Sequence, residues 1–159
     1  MQIQKDILMD IKVTGPRGGS MPLERSYYVI EAVKFFAKSL GINRLQTEIN
    51  VLLHDQLLID GDIMGYCDAS TEREFTISLC GWGNWLSTLA HEMVHVRQFA
   101  RGELDLEMDT WKSRKYCGNM EYWSQPWEKE ARRLQNKLVF DFMEQGGYWC
   151  TLVFQTTNA

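Results

Sequence analysis

The sequence predicts an α+β fold, and the order of its periodic segments is the main reason. Four strand-like segments occur before residue 80, one helical segment interrupts them, and two long helical segments follow. Strands and helices that are grouped in this way, rather than regularly alternating, are typical of α+β domains. The chain has 159 residues and a hydrophobic fraction of 45%, so we expect one globular domain over residues 1–159.

The first half of the chain contains the predicted strands and the first helix. Residues 3–13 alternate in polarity and predict a strand, whereas 24–41 carry apolar residues at helical spacing. Gly41 is a plausible end for that helix, because glycine adopts the left-handed conformation that terminates helices. The other predicted strands share short apolar or alternating runs between turn residues, and they cover 47–55, 62–68 and 73–79.

Two long helices are predicted in the second half. Residues 85–101 are apolar on nearly every face, which indicates a buried helix, with Asn84 as its N-cap and Gly102 after its end. The last helix covers 126–145, and Pro126 fits its first turn.

Irregular structure is predicted between and after these helices. Residues 103–123 lack a clear period and predict a short hairpin, and the tail 148–155 predicts a strand or a packed extension.

Composition excludes several classes of protein. A net charge of −4, from 21 acidic and 17 basic residues, gives no general electrostatic reason to expect a nucleic-acid partner. The first residues mix charges with apolar side chains and no long apolar run follows, so we expect a cytoplasmic protein without a membrane segment. The four cysteines form no C-x-x-C pair and predict reduced structural thiols. The sequence predicts no particular oligomeric state.

The segment STLAHEMVHVRQ, residues 87–98, carries the strongest functional signal. It holds two of the three histidines in the chain, His91 and His95, with Glu92 directly after the first. On a helix, positions i and i+4 share one face, so the two imidazoles can bind one metal ion. The alternative is that both histidines hydrogen-bond to backbone or carboxylate groups. A zinc ion satisfies both buried imidazoles at once, and we prefer it for that reason.

The expected chemistry follows from the ion. Catalytic zinc takes three protein ligands and keeps one position for water, whose pKa it lowers to ~7. Glu92 follows a ligand directly, so it can take the proton of that water and pass it to a leaving amine. We therefore expect zinc-dependent hydrolysis of a peptide bond, with a peptide or protein as substrate.

The third ligand must come from elsewhere in the chain, because no histidine follows His95. His54 lies in a strand-like segment and is a weak candidate. Cys80, at a strand end just before the helix, is another, and it would make the site similar to that of deformylases. The best candidate is Glu128 on the last helix.

Helical spacing separates Glu128 from its neighbour Glu130. Glu128 belongs to a mostly apolar stripe and is therefore a carboxylate directed at the core, which a metal would explain. Glu130 falls on a charged face and is expected to form surface ion pairs. The stripe comprises Glu128, Ala131, Gln135, Leu138 and Phe142, and the charged face comprises Glu130, Arg133, Lys137 and Asp141.

The motif HEMVH followed downstream by EKEA resembles the gluzincins, zinc metallopeptidases with an HExxH motif and a downstream glutamate ligand. Their Glu-x-x-Ala pattern corresponds here to Glu128 through Ala131, which again favours Glu128 as the third ligand. The stretch PWEKEA is also similar to one in small one-domain proteins of phages and bacteria that are assigned as metallopeptidases. The resemblance covers about residues 73–135.

The resemblance implies a zincin-like fold. We then expect a small, mostly antiparallel sheet packed on the active-site helix 85–101 and the second ligand-bearing helix 126–145. The strand 73–79 would be the edge strand of this sheet, and an edge strand can pair with an extended peptide across the metal.

The resemblance also raises the question of the auxiliary residues. Gluzincins often use a tyrosine or histidine to stabilise the oxyanion, and Tyr122 and Tyr116 are the candidates here, with packing as the alternative role for both. Many gluzincins orient a zinc histidine with an aspartate at the position that Arg132 occupies. The orienting group is then expected to be Asp105, Asp109 or a backbone carbonyl.

Two other functions remain open from the sequence. One is a zinc amidase or deformylase-like hydrolase of small substrates, which an essential Cys80 would favour. The other is a non-catalytic metal-binding protein on a zincin-like fold. Glu92 argues against the second, because a purely structural metal site has no need for a general base beside a ligand.

Overall fold

A computed structural model describes residues 9–15, 23–54, 64–80, 84–116 and 118–147. Within these ranges the chain forms three α-helices, a mixed four-stranded sheet and a two-stranded hairpin, so the predicted α+β class is confirmed. The strands and helices follow in chain order as β1 (Met9–Thr14), α1 (Leu23–Ser39), β2 (Thr47–His54), β3 (Gly65–Ala69), β4 (Glu74–Cys80), α2 (Trp85–Ala100), β5 (Thr110–Trp111), β6 (Arg114–Lys115) and α3 (Pro126–Phe142).

The sheet has the strand order β1-β2-β4-β3. The pairs β1–β2 and β2–β4 are parallel, and only β3–β4 is antiparallel, so the expectation of a mostly antiparallel sheet was wrong. The reason lies in the connections. Helix α1 joins β1 to β2, and a helical crossover returns the chain in the same direction. A short turn joins β3 to β4, and a hairpin is necessarily antiparallel.

The expected edge strand was also wrong. Strand β4, which corresponds to the predicted strand 73–79, lies between β2 and β3, and β3 lies at the end of the sheet. The burial of the two strands explains this order. The last residues of β4, from Ile77 to Cys80, are buried without interruption, as in an interior strand. In β3 every second residue is exposed, which is typical of an edge.

Helix α2 occupies the centre of the core and closely follows its prediction. It spans Trp85–Ala100 and is followed by Gly102 in the left-handed region (φ +66°), as expected for a helix end. Asn84 stands at the N-cap, but its side chain makes no capping hydrogen bond. Helices α1 and α3 pack against α2, and one hydrophobic cluster joins the three helices to the sheet.

The ends of the other predicted elements differ modestly. Helix α3 stops at Phe142 and continues as a π-helical turn, Met143–Gly147, instead of running regularly to 145. The predicted hairpin is confirmed as β5 and β6.

The tail 148–155 and the start of the predicted strand 3–13 lie outside the described residues, as do Cys117 and Cys150. None of the described helices combines the length and apolar character needed to cross a membrane.

Gly65 allows β3 to lie close to α2. A Cβ atom at this position would stand 2.6 Å from Cγ2 of Thr88 on α2 and 2.8 Å from the carbonyl oxygen of Ser78 on β4. Both distances are well below van der Waals contact, and one of them involves rigid backbone. The absence of a side chain at Gly65 therefore brings the edge strand against the helix that carries the HExxH motif.

Candidate metal centre

His91, His95 and Glu128 converge on one point between α2 and α3. Nε2 of His91 and Nε2 of His95 each lie 3.1 Å from a different carboxylate oxygen of Glu128. The two Nε2 atoms are 3.3 Å apart. The predicted third position, Glu128, is therefore the carboxylate that the structure brings to the two histidines.

Local structure explains this convergence. The two histidines are four residues apart on α2 and share one face. Glu128 lies in the first turn of α3, on the stripe that packs against α2, and only 3% of it is exposed. The stripe predicted from helical spacing is confirmed, since Ala131, Leu138 and Phe142 are buried with Glu128 and Gln135 is half-buried.

Two glutamines contact the histidines at their Nδ1 atoms, on the side of each ring away from Glu128. Nδ1 of His91 lies 2.7 Å from Oε1 of Gln135, and Nδ1 of His95 lies 2.7 Å from Oε1 of Gln98. An amide oxygen only accepts hydrogen bonds, so each Nδ1 must be the donor. In a neutral imidazole the other nitrogen then presents a lone pair. Both Nε2 lone pairs consequently point to the centre.

The orientation of the Gln98 amide is itself determined by its surroundings. Its Nε2 donates to the backbone carbonyl of Trp127 and to the Glu130 carboxylate, both at 3.0 Å. These are acceptors, so the amide oxygen must face His95. Neither expected aspartate nor a backbone carbonyl holds these Nδ1 atoms. Asp105 accepts backbone N–H bonds from Asp109 and Thr110, and Asp109 accepts a hydrogen bond from the Thr110 hydroxyl.

The centre requires a positive charge. Two lone pairs and a carboxylate that face one another at this distance repel unless a proton or a metal ion lies between them. Burial raises the pKa of Glu128, but the two histidines that face its carboxylate outweigh burial and hold that pKa well below its usual range. The ligand atoms of the three residues all lie within 4.8 Å of one another, so the group fits a metal ion.

Glu92 lies beside this group without belonging to it. Its side chain is buried and lines the cavity next to the histidines. Burial raises its pKa, and the neighbouring His95 and His91 only partly offset this effect. The backbone of Cys67, on the edge strand β3, lies close enough to Glu92 to lower the pKa of its carboxylate. The edge strand therefore lies against Glu92.

The two tyrosine candidates have different positions. Tyr122 lines the cavity, and its hydroxyl lies close enough to Glu128 to lower the pKa of that carboxylate. Burial and the charge of Glu128 raise the pKa of Tyr122, so its hydroxyl stays protonated and can donate. Tyr116 instead packs edge-on against Trp127, with the ring centroids 6.1 Å apart, and does not line the cavity.

The weaker candidates for the third ligand are not at the centre. His54 and Cys80 are paired in register at the ends of β2 and β4, and neither belongs to the metal-binding group of the described residues. Cys80 is almost fully buried. Of the described cysteines, Cys67 lines the cavity, and nothing in the sequence pointed to it beyond its place on a predicted strand.

Glu130 forms ion pairs as expected, but it does not lie on a solvated face. Only 12% of its side chain is exposed, and it lies 2.7 Å from Nη2 of Arg97 on α2. Lys112, between β5 and β6, approaches its other oxygen at 3.4 Å. The prediction was wrong because the hairpin and the end of α2 cover this side of α3, which the spacing within one helix cannot reveal.

A cavity of about 710 Å³ opens beside the metal-binding group. Its walls come from β3, α2, the loop before β5, the turn before α3 and α3 itself. The described residues that line it are Met64, Gly65, Tyr66, Cys67, Asn84, Ser87, Thr88, His91, Glu92, His95, Phe99, Met108, Tyr122, Trp123, Glu128 and Gln135. Its size is within the usual range for binding sites of small molecules and short peptide segments.

No protein-family model, no curated protein and no solved structure matches this chain. A function must therefore be inferred from the residues of the site and their geometry.

Proposed function

We propose that this chain is a zinc-dependent hydrolase of peptide bonds. His91, His95 and Glu128 hold the metal, and Glu92 acts as the general base. The convergence of two Nε2 atoms and one carboxylate, at 3.1 to 3.3 Å, is the observation that carries this proposal. A cavity large enough for a substrate opens beside this convergence, with Glu92 in its wall.

The donor set supports zinc and a catalytic type of site. Two imidazoles and one carboxylate are a common ligand set of catalytic zinc, whereas structural zinc is mostly bound by four protein ligands. The described residues offer only the three ligands at this point. When bound, zinc supplies Lewis acidity that polarises a carbonyl group and activates water.

The protein groups around the metal have distinct proposed roles. Glu92 accepts a proton from the attacking water and delivers it to the leaving amine. Its raised pKa, caused mainly by burial, makes the carboxylate a stronger base for accepting this proton. Tyr122 keeps its hydroxyl proton and is proposed to donate a hydrogen bond to the oxyanion that develops from the substrate carbonyl.

The edge strand β3 is the proposed site for the peptide backbone. Among the described strands β3 pairs only with β4, no described strand lies on its other side, and several of its residues line the cavity. An extended peptide can add to such an edge through backbone hydrogen bonds. We expected this role for the strand before α2. Because that strand, β4, lies inside the sheet, we propose the role for β3 instead.

The deformylase-like alternative loses its main support, because Cys80 is buried away from the metal-binding group. A non-catalytic metal-binding protein remains the competing function, and Glu92 distinguishes the two. Replacing Glu92 by glutamine removes the base but keeps the size of the side chain.

The experiment compares the zinc-loaded wild type with Glu92→Gln on a library of internally quenched peptides with blocked ends. We expect Glu92→Gln to retain its zinc and to lose at least about 100-fold in hydrolysis rate. Glu107→Gln is the matched control, because Glu107 is exposed and does not line the cavity. Hydrolysis by Glu92→Gln at the wild-type rate would contradict the mechanism. A wild type that binds zinc but cleaves nothing would be a metal-binding protein.

A further inference from the structure

Most of the exposed large hydrophobic side chains gather at one place. Eight such side chains occur in the described part of the chain, and five of them line the cavity beside the metal-binding group. These five, which we call the apolar rim, are Met64, Tyr66, Met108, Tyr122 and Trp123. Exposed apolar residues that are concentrated around a single cavity indicate a binding surface rather than incidental exposure.

Two members of the apolar rim are held in position by the protein. Trp123 is 66% exposed, yet the guanidinium of Arg132 lies 4.8 Å from its ring centroid. Arg132 also donates to the Trp123 carbonyl oxygen at 2.7 Å. Met108, in the loop before β5, has a left-handed backbone (φ +58°), which is unfavourable for a residue with a side chain. The rim thus combines a fixed aromatic wall with an adaptable methionine side chain.

The charges of the cavity exclude one class of occupant. None of the described lining residues is lysine or arginine, and its carboxylates are Glu92 and Glu128. Asp68 adds an exposed acidic group on β3. Away from the metal-binding group, an acidic side chain would therefore meet the Glu92 carboxylate and no lysine or arginine of the described lining, and a free C-terminal carboxylate would find no such partner there either.

We infer that the cavity binds a bulky uncharged apolar side chain, next to the bond to be cleaved, within an internal segment of a polypeptide. It selects against acidic side chains and against substrates that present a free C-terminal carboxylate at this position. The inference rests on the proposed function and adds the class of substrate to it.

Internally quenched peptides test the inference directly. The zinc-loaded protein is given capped peptides that differ at one position beside the scissile bond, where the residue is Phe, Leu, Ser or Asp. A further Phe peptide ends directly after the varied residue, so that this residue carries a free C-terminal carboxylate. We expect kcat/KM to be about tenfold or more higher for capped Phe and Leu peptides than for the Asp peptide and the free-carboxylate peptide.

Two variants in the same loop provide a matched comparison. Met108 and Leu106 are both 43% exposed, but only Met108 lines the cavity. We expect Met108→Ser to reduce the ratio of Phe to Ser cleavage by a factor of several, while Leu106→Ser leaves that ratio unchanged. Equal cleavage of Phe and Asp peptides by the wild type, or equal effects of the two variants, would overturn the inference.

Binding measurements separate this inference from the proposed hydrolysis. If no peptide is cleaved, the proposed function fails, and fluorescence anisotropy of the same labelled peptides then tests the cavity alone. Tighter binding of the capped Phe peptide, weakened by Met108→Ser but not by Leu106→Ser, would still support the inference, and equal or absent binding would overturn it. Light scattering tests a second copy of the chain as the occupant. A wild-type dimer that Met108→Ser converts to a monomer would also overturn the inference.

Discussion

The side chains of the centre depend on one another in a chain of hydrogen bonds. Glu130 binds the Gln98 amide, Gln98 binds Nδ1 of His95, and Nε2 of His95 faces Glu128. Arg97 binds Glu130 and also lies 3.2 Å from Glu103. Because every group in this chain has a fixed donor or acceptor role, the lone pair of His95 is directed before a metal arrives.

Gln135 offers the clearest test of this preorganisation, since it is only half-buried and its change should cost little stability. Gln135→Met removes the acceptor from His91 Nδ1, so we expect zinc affinity to fall by about 10- to 100-fold. Competition with a chromophoric chelator measures this change, and Gln145→Met, at an exposed position after α3, is the control. Similar affinities for the two variants would show that Gln135 does not position the histidine.

Replacing Glu130 should lower zinc affinity less than replacing Gln135 does, and it should lower the free energy of unfolding more. Glu130→Ala leaves the amide of the fully buried Gln98 with one acceptor fewer and removes one of the carboxylates that bind Arg97. We expect the free energy of unfolding of the metal-free protein to fall by about 1–3 kcal/mol. Urea denaturation measures it, and Lys137→Ala, which removes an exposed i,i+4 ion pair with Asp141, should change it by less than about 0.5 kcal/mol.

Packing between β3 and α2 joins the sheet to the centre. Both strands of the β3–β4 hairpin contact α2, and the backbone of Cys67 on β3 lies next to Glu92. The surroundings of Glu92, the proposed general base, therefore depend on how closely the edge strand approaches the helix. Gly65 sets that approach.

We expect Gly65→Ala to reduce the free energy of unfolding by about 1–3 kcal/mol, because the new methyl group would overlap Thr88 and the Ser78 backbone. Thermal or urea denaturation measures the loss. Gly118→Ala is the matched control, since a Cβ atom at Gly118 would meet nothing within 4 Å. Adding Thr88→Ser should recover only part of the loss, because the Ser78 carbonyl remains in the way. Unchanged stability in Gly65→Ala would contradict the assigned packing.

The sequence predicted those parts of the molecule that depend on local spacing. His91, Glu92 and His95 belong to one helix, so their relative positions follow from helical geometry alone. Glu128 was identified because a carboxylate on an apolar stripe needs a partner. The helix limits near Gly41 and Gly102 followed from the tolerance of glycine for positive φ.

The remaining features depend on contacts between segments that are distant in sequence. The place of β3 at the sheet edge is set by pairing with β4 and by the parallel connection through α1, neither of which an alternating pattern specifies. Gln98 and Gln135 belong to no motif, and their roles depend on how α3 is rotated against α2. The burial of Glu130 depends on the hairpin that covers it. These are tertiary effects that override the pattern within one element.

As a whole, the domain should be stabilised by the metal, because the ligands come from two helices that unfolding separates. A ligand that binds only the folded state adds RT ln(1 + [L]/Kd), which is about 2.7 kcal/mol at 100 times the Kd. We therefore expect excess zinc to raise the Tm of the wild type and a chelator to reverse the shift. Glu128→Gln, in which a ligand is lost, should show a much smaller shift in the same scan.

The metal content of the purified protein shows whether the two histidines and Glu128 form a metal site. The protein is purified without added metal, and elemental mass spectrometry is applied to the wild type, Glu128→Gln and Glu144→Gln, the last at an exposed position after α3. We expect about one zinc per chain in the wild type and in Glu144→Gln, and far less in Glu128→Gln. A wild type that contains no zinc and takes up none on titration would contradict it.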